Sequence, residues 1–118
     1  MDNDVTTLAP PGRTQMAMQY IVDHCAEPIT SADIAAAAGL SQRGLQQAFA
    51  RAELPPPITA LRQARLEAVR TALQHADPTV TTVGEIATAW GFAHLGRFSG
   101  YYEAAFGEFP RATLHRSA

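Results

Sequence analysis

The sequence predicts an all-α fold built around a repeated pair of helices, and three observations carry that prediction. Residues 33–49, DIAAAAGLSQRGLQQAF, have a second copy at residues 85–102, EIATAWGFAHLGRFSGYY. Ile34-Ala35 and Gly39-Leu40 match Ile86-Ala87 and Gly91-Phe92, each 52 residues further on. A repeat at this period is one supersecondary unit used twice. Between Gly and Pro breakers, apolar residues recur at three- and four-residue steps, the helical period. Alanine is abundant and all nine basic residues are arginine, a composition rich in helix formers.

Residues 1–12 carry Asp2, Asn3, Asp4 and then Pro10-Pro11-Gly12, with little to pack, and read as a flexible leader or linker remnant. From Thr14 the pattern is helical, with Met18, Ile21, Val22 and Cys25 on one apolar stripe, and Pro28 stops it. Ser31 is the expected N-cap of the next helix, and Asp33 suits the positive end of its dipole. Ile34, Ala35 and Ala38 form its inner face. Gly39 breaks it. Ser41 then caps a short helix, about 41–52, with Leu45, Ala48 and Phe49 inside. Its outer face, Gln42, Arg43, Gln46, Gln47 and Ala50, has no carboxylate and is rich in hydrogen-bond donors.

Leu54-Pro55-Pro56-Pro57 ends that helix, and Pro57 or its neighbour can sit in the first turn of the next, where a missing N–H costs nothing. This third kind of element, about 58–75, has Ile58, Leu61, Leu66, Val69 and Leu73 at helical spacing and spans about 25 Å. After the loop Asp77-Pro78-Thr79, Thr81 or Thr82 caps a helix at 83–90, with Glu85 completing a capping box. Gly91 breaks it as Gly39 did. The second copy of the outer helix runs about 94–106, with Phe98, Tyr101 or Tyr102, and Phe106 as inner candidates. His94, Leu95, Gly96 and Arg97 are its exposed N-terminal residues. Trp90 is expected in the core against Phe98. A last short helix after Pro110 carries Arg111 and Arg116. Each copy of the repeat therefore has the grammar of a helix-turn-helix: an apolar pair, a glycine suited to a left-handed turn, and a second apolar-striped helix.

With 118 residues the chain is one domain, or two very small subdomains sharing a helix. At 47% hydrophobic it can build a core, and 17% charged is too low for a disordered chain. The lone Cys25 excludes an intramolecular disulfide and a Cys-based metal cage, and is expected buried. No apolar run reaches the roughly 18 residues of a membrane helix, and no signal peptide is evident, so a cytoplasmic protein with no membrane partner is expected. The net charge of −2 weighs against nucleic acid, because phosphate neutralisation supplies most non-specific affinity. Distribution offsets the total in part: beyond residue 30, eight arginines face seven carboxylates.

These residues resemble the AraC/XylS family of bacterial transcription regulators over about 14–116. The resemblance rests on Ile34-Ala35, Gly39-Leu40-Ser41, Leu45 and Phe49, on Arg62, Arg65-Leu66-Glu67-Ala68, and on Val83, Glu85-Ile86-Ala87, Gly91-Phe92, Phe98, Phe106-Gly107 and Pro110. It implies about seven helices in two homeodomain-like helix-turn-helix subdomains: a leader at 1–12, subdomains at 13–56 and 77–118, and a connecting helix at 57–76. It also implies recognition helices, about 41–52 and 94–106, that enter successive major-groove segments of double-stranded DNA. Arg43, Gln46, Gln47 and Arg97 fall at positions that face base edges, where Arg suits guanine and Gln adenine. Ser41, Gln42, Arg51, His94, Ser99 and Arg111 are the implied backbone contacts. RNA polymerase is a further candidate partner. The family commonly places a sensing or dimerisation domain before the DNA-binding part, so the chain is expected to be the C-terminal domain of a longer protein. No cofactor and no metal are implied.

Departures from the family fall mostly in the second subdomain, 77–118. Gly100 stands where a basic residue is frequent, and Glu103 and Glu108 where Lys or Arg are common. Leu54 takes a usual glycine position, Ala60 replaces a frequent aromatic, and Thr113-Leu114 replaces a usual Tyr-Arg pair. The first unit is therefore expected to read sequence, and the second to add backbone contact and shape fit. An enzyme is the weaker rival. Asp23, His24 and Cys25 are helix neighbours pointing about 100° apart, and His24, His75, His94 and His115 have no metal-ligand spacing. The other rival is a degenerate helix-turn-helix that binds protein rather than DNA.

Overall fold

The computed structural model describes residues 9–116. Among them seven helices follow in order: α1 (Ala9–His24), α2 (Ser31–Ala37), α3 (Gln42–Arg51), α4 (Pro57–His75), α5 (Val83–Ala89), α6 (Leu95–Phe106) and α7 (Pro110–Arg116). No helix among the described residues is long and apolar enough to cross a membrane. The chain divides into two compact units within α4, after Arg62.

In the first unit α1 packs on α2 and α3. Its core is Ala17 and Ile21 from α1 and Cys25 just after it, Ile34, Ala35 and Ala38 from α2 and its cap, and Leu45 and Phe49 from α3. The start of α4 adds Pro57, Ala60 and Leu61. Three expectations are corrected here. First, α1 starts at Ala9, so residues 9–12 are helical rather than part of a leader, and residues 1–8 of that segment lie outside the described residues. Pro10 and Pro11 fall in the first turn, where a missing N–H breaks no helical bond. Second, the buried stripe of α1 runs Ala17-Ile21-Cys25 at strict four-residue steps, which turns Val22 to solvent at 57% exposure and leaves Met18 half-buried. The same geometry exposes Ile58 on α4, where Ala60 and Leu61 face inward.

The third correction is a cap. Thr30, not Ser31, caps α2: its Oγ1 accepts from Asp33 N at 3.2 Å, and Asp33 Oδ2 accepts from Thr30 N at 2.9 Å. Thr82 and Glu85 build the same box on α5. The two boxes are again 52 residues apart, so the repeat is wider than the apolar pair and the glycine.

The second unit centres on Leu66, Val69 and Leu73 of α4, Ala87 of α5, Phe98 and Tyr102 of α6, and Leu114 of α7. Tyr102 is fully buried and Tyr101 half-buried, which settles the choice between them. Trp90 is the C-cap of α5 and packs partly buried against this cluster. The ring that meets Phe98 is Phe92, at 4.8 Å between centroids.

Both interhelical turns close in the same way. Gly39 N donates to Ala36 O at 3.0 Å and Leu40 N to Ala35 O at 2.9 Å. Gly91 N and Phe92 N repeat the pair on Thr88 O and Ala87 O, both at 3.0 Å. This is a Schellman termination, which needs a left-handed residue, and Gly39 and Gly91 supply it at φ +69° and +98°. The end of α3 uses the same bonds, with Glu53 N on Ala50 O and Leu54 N on Phe49 O. There the left-handed residue is Glu53 at φ +58°, one position before the leucine that takes the family's usual glycine place. Left-handed backbone costs an L-residue about 1–2 kcal/mol. Glu53→Gly should therefore raise unfolding free energy in urea by about 1 kcal/mol, and Gly39→Ala should lower it by about 1–2 kcal/mol.

Candidate nucleic-acid interface

On α3 the side chains sort by helical period into a buried and an exposed set. Leu45 and Phe49 anchor the helix in the core, and Gln42, Arg43, Gln46, Gln47 and Ala50 are all exposed. Arg43, Gln46, Gln47 and Ala50 stand at i, i+3, i+4 and i+7, so they form one face. Arg43, Gln46 and Gln47 make no hydrogen bond or ion pair among the described residues, and their donors are available to a ligand. Ser41 Oγ accepts from Gly44 N at 2.9 Å, which fixes the start of the helix. Gln42 is held from α2, its Oε1 accepting from Ser31 Oγ at 3.0 Å. Arg51 lies exposed in the last turn, at the opposite end from Ser41.

Superposing the repeat on the second unit requires one inserted residue after the turn. The N-caps Ser41 and His94, and the anchors Leu45 with Phe98 and Phe49 with Tyr102, are each 53 apart. By that register Arg43, Gln46 and Gln47 correspond to Gly96, Ser99 and Gly100. A Cβ at Gly96 or Gly100 would meet nothing within 4 Å, so this face of α6 is bare and open. His94 is the N-cap of α6 but its side chain makes no capping bond. Arg97 is exposed at the position equivalent to Gly44, beside the turn. Leu95 is exposed and its tip leans toward Gly84.

Ser99 and Arg111 come together. Both line an open groove of about 420 Å³ with Thr81, Thr82 and His115. Its walls mix hydroxyls, a guanidinium and an imidazole with the apolar Val83, Phe109 and Leu114. Glu108, whose carboxylate would repel a phosphate that it faced, is engaged internally instead. Tyr102 OH donates to the buried Thr113 Oγ1 at 2.7 Å, Thr113 donates on to Glu108, and Arg116 pairs with the other carboxylate oxygen. The Thr113 hydroxyl and then the Arg116 guanidinium hold the Glu108 carboxyl below the usual carboxylate range. Burial pushes the Tyr102 phenol up.

Reading the sequence missed the arginines that serve the scaffold. Arg13 Nη1 donates to Ala38 O at 2.8 Å and to Gly39 O at 3.0 Å, binding α1 to the turn. Arg65 lies in the same place in the second unit, its Cζ and Nε 3.2 Å from where a Cβ on Gly91 would stand. Arg70 sits over the Phe106 ring at 4.8 Å. A signal existed, since Arg13 and Arg65 are themselves 52 apart.

Comparison with known proteins places this arrangement. A family model described as a helix-turn-helix domain matches residues 34–116. A probable thc operon regulatory protein of Rhodococcus erythropolis is 39% identical over 104 residues, covering 88% of this chain and 31% of that protein. A XylDLEGF operon transcriptional activator of Pseudomonas putida is 33% identical over 102 residues, covering 86% of this chain and 32% of that protein. The chain thus spans about a third of the length of these relatives. A crystal structure described as a probable AraC family transcriptional regulator from Rhodopseudomonas palustris superposes with a TM-score of 0.82 at 34% identity, covering 90% of this chain and 97% of that one.

A depressed folded-state pKa contributes stability that is present above the unfolded value and is lost as pH falls through the folded one. Glu108→Gln should therefore be less stable than the parent at neutral pH. The difference in urea midpoint should shrink as pH drops below the ordinary carboxylate range and vanish once Glu108 is protonated.

Proposed function

Because the chain belongs to the AraC/XylS family of helix-turn-helix transcription regulators, we propose that it binds double-stranded DNA sequence-specifically. In this reading it is the DNA-binding part of a longer bacterial regulator, and α3 and α6 each enter the major groove. The observation that carries it is the exposed face of α3. Arg43, Gln46 and Gln47 share one side of a helix anchored by Leu45 and Phe49, with no carboxylate among them and no internal partner among the described residues. Long donors held out on a rigid helix are what base edges require.

The domain roles follow from the same geometry. The unit containing α1, α2 and α3 reads sequence, Arg43 taking guanine O6 and N7 and the glutamines taking adenine. Ser41, Gln42 and Arg51 contact the flanking backbone. The unit containing α5, α6 and α7 offers Arg97 to the groove, with His94, Ser99 and Arg111 on phosphates, and adds affinity more than readout. The net charge of −2 implies modest non-specific affinity, which a second copy supplied by a dimerisation domain would raise. The relatives' greater length supports such a domain before this one. RNA polymerase is the partner a regulator of this kind would address from the cytoplasm.

Fluorescence anisotropy on mixed-sequence duplex at two salt concentrations tests the reading, with binding expected to weaken as salt rises. No binding at low salt would overturn it in favour of a protein-binding module. In a selection from randomised duplexes, Arg43→Ala should lose preference at one base position, a change worth about 1–3 kcal/mol. Arg111→Ala should weaken all sequences alike and reduce the salt slope by about 1.

A further inference from the structure

Arg13 does not lie on the proposed reading face, yet it makes the one side-chain grip on the turn that precedes α3 that the described residues show. Its Nη1 donates to Ala38 O at 2.8 Å and to Gly39 O at 3.0 Å. Both carbonyls follow the Schellman pair, so they point away from α2 with no helical N–H to take them. A guanidinium at this end of α2 also meets the negative end of the helix dipole, and its bonds to carbonyl oxygen are charge-assisted. Gly39 is adapted to this contact twice. It takes φ +69°, and a Cβ there would collide with Arg13 Nη1. Only Leu40 separates the gripped peptide from Ser41, the N-cap of α3. The turn from which α3 leaves is therefore tied to α1 by this side chain as well as by the core packing of α1 on α2 and α3.

The second unit also seats an arginine against its turn glycine. The Arg65 guanidinium lies against Gly91, with Cζ and Nε both 3.2 Å from the position of a Cβ, and Arg65 follows Arg13 by the 52 residues that separate the two glycines. An arginine from the preceding helix seated on the turn glycine in both units is part of the turn, not an accident of one surface.

We propose that Arg13 is a positioning residue for base readout. By holding the Ala38 and Gly39 carbonyls it sets the angle at which α3 presents Arg43, Gln46 and Gln47, and it touches no DNA itself. This rests on the DNA-binding reading above. Arg13→Met keeps the apolar stem and removes the donors, and Arg13→Lys keeps the charge with a single ammonium. Each is titrated with the duplex that the unmutated chain selects from a random pool and with a scrambled duplex of the same composition, at a temperature where thermal melts show every variant folded. In Arg13→Met the specific affinity should fall about tenfold, roughly the loss of one well-aimed bidentate contact. The scrambled affinity and the salt slope should stay unchanged. Arg13→Lys should recover part of the loss. A uniform loss on both duplexes with a slope reduced by about 1 would overturn the proposal, by making Arg13 a phosphate contact. A lower melting temperature with an unchanged specific-to-scrambled ratio would also overturn it, by making Arg13 a stabilising residue only. If the unmutated chain binds neither duplex, the DNA reading itself fails, an outcome distinct from both.

Discussion

The left-handed turn between paired helices is the constraint on which the rest of the structure depends. A helix of seven residues such as α2 or α5 has little stability of its own, because nucleation is costly and few bonds repay it. It persists here because both ends are closed. A reciprocal capping box closes the first turn, and a Schellman pair closes the last. The Schellman pair demands positive φ at one residue, and that residue must also leave room for a guanidinium. Glycine alone meets both demands. Once the turn is set, the direction of the following helix is set, and its side chains divide by period into core and surface.

The two units show how far one scaffold can be kept while its surface changes. Caps, turn glycines, turn-seated arginines and buried anchors recur at constant offsets, shifted by a single residue after the second turn. The anchors differ in bulk and in one buried hydroxyl, with Leu45 and Phe49 in one and Phe98 and Tyr102 in the other. The exposed positions share nothing. Arg43, Gln46 and Gln47 give way to Gly96, Ser99 and Gly100, residues with almost no side chain to offer. Gly100, exposed in the interior of α6, costs the helix about 1 kcal/mol relative to alanine, and a Cβ there would meet nothing within 4 Å. The larger aromatic cluster and the Tyr102–Thr113–Glu108–Arg116 chain hold that unit together instead.

Charge follows the same division. The total of −2 does not show that several charges have internal partners. Glu108 is engaged by Thr113 and Arg116, and Asp33 and Glu85 by backbone N–H groups. Arg13 answers carbonyl oxygens. Setting aside Asp33, Glu85, Glu108, Arg13 and Arg116 leaves seven arginines against eight carboxylates, so the balance stays slightly negative and the positive charge offered to an anion is local, at the exposed Arg43, Arg51, Arg97 and Arg111.

The sequence by itself determined the helices, the repeat, both turn glycines and the anchors Leu45, Phe49 and Phe98. These are local consequences of period and backbone preference, legible wherever an apolar step or a glycine stands in the right place. It also determined which α3 residues face outward, since burying Leu45 and Phe49 fixes the opposite face. Tertiary structure decided what depends on partners distant in the chain. Ser31 is by type at least as good a cap as Thr30, yet its hydroxyl bonds Gln42 Oε1, eleven residues on, and Thr30 closes the box with Asp33. Met18, Val22 and Ile58 are apolar enough for a core, yet α1 and α4 turn Ala17, Ile21, Ala60 and Leu61 inward instead. Arg13 looks like any surface arginine until folding brings two carbonyls 25 and 26 residues away within its reach. Glu108 reads as a repulsive charge until Thr113 and Arg116 meet it. A side chain's type is written in the sequence, but its partner is chosen by the fold, because only packing sets which donors and acceptors share a distance.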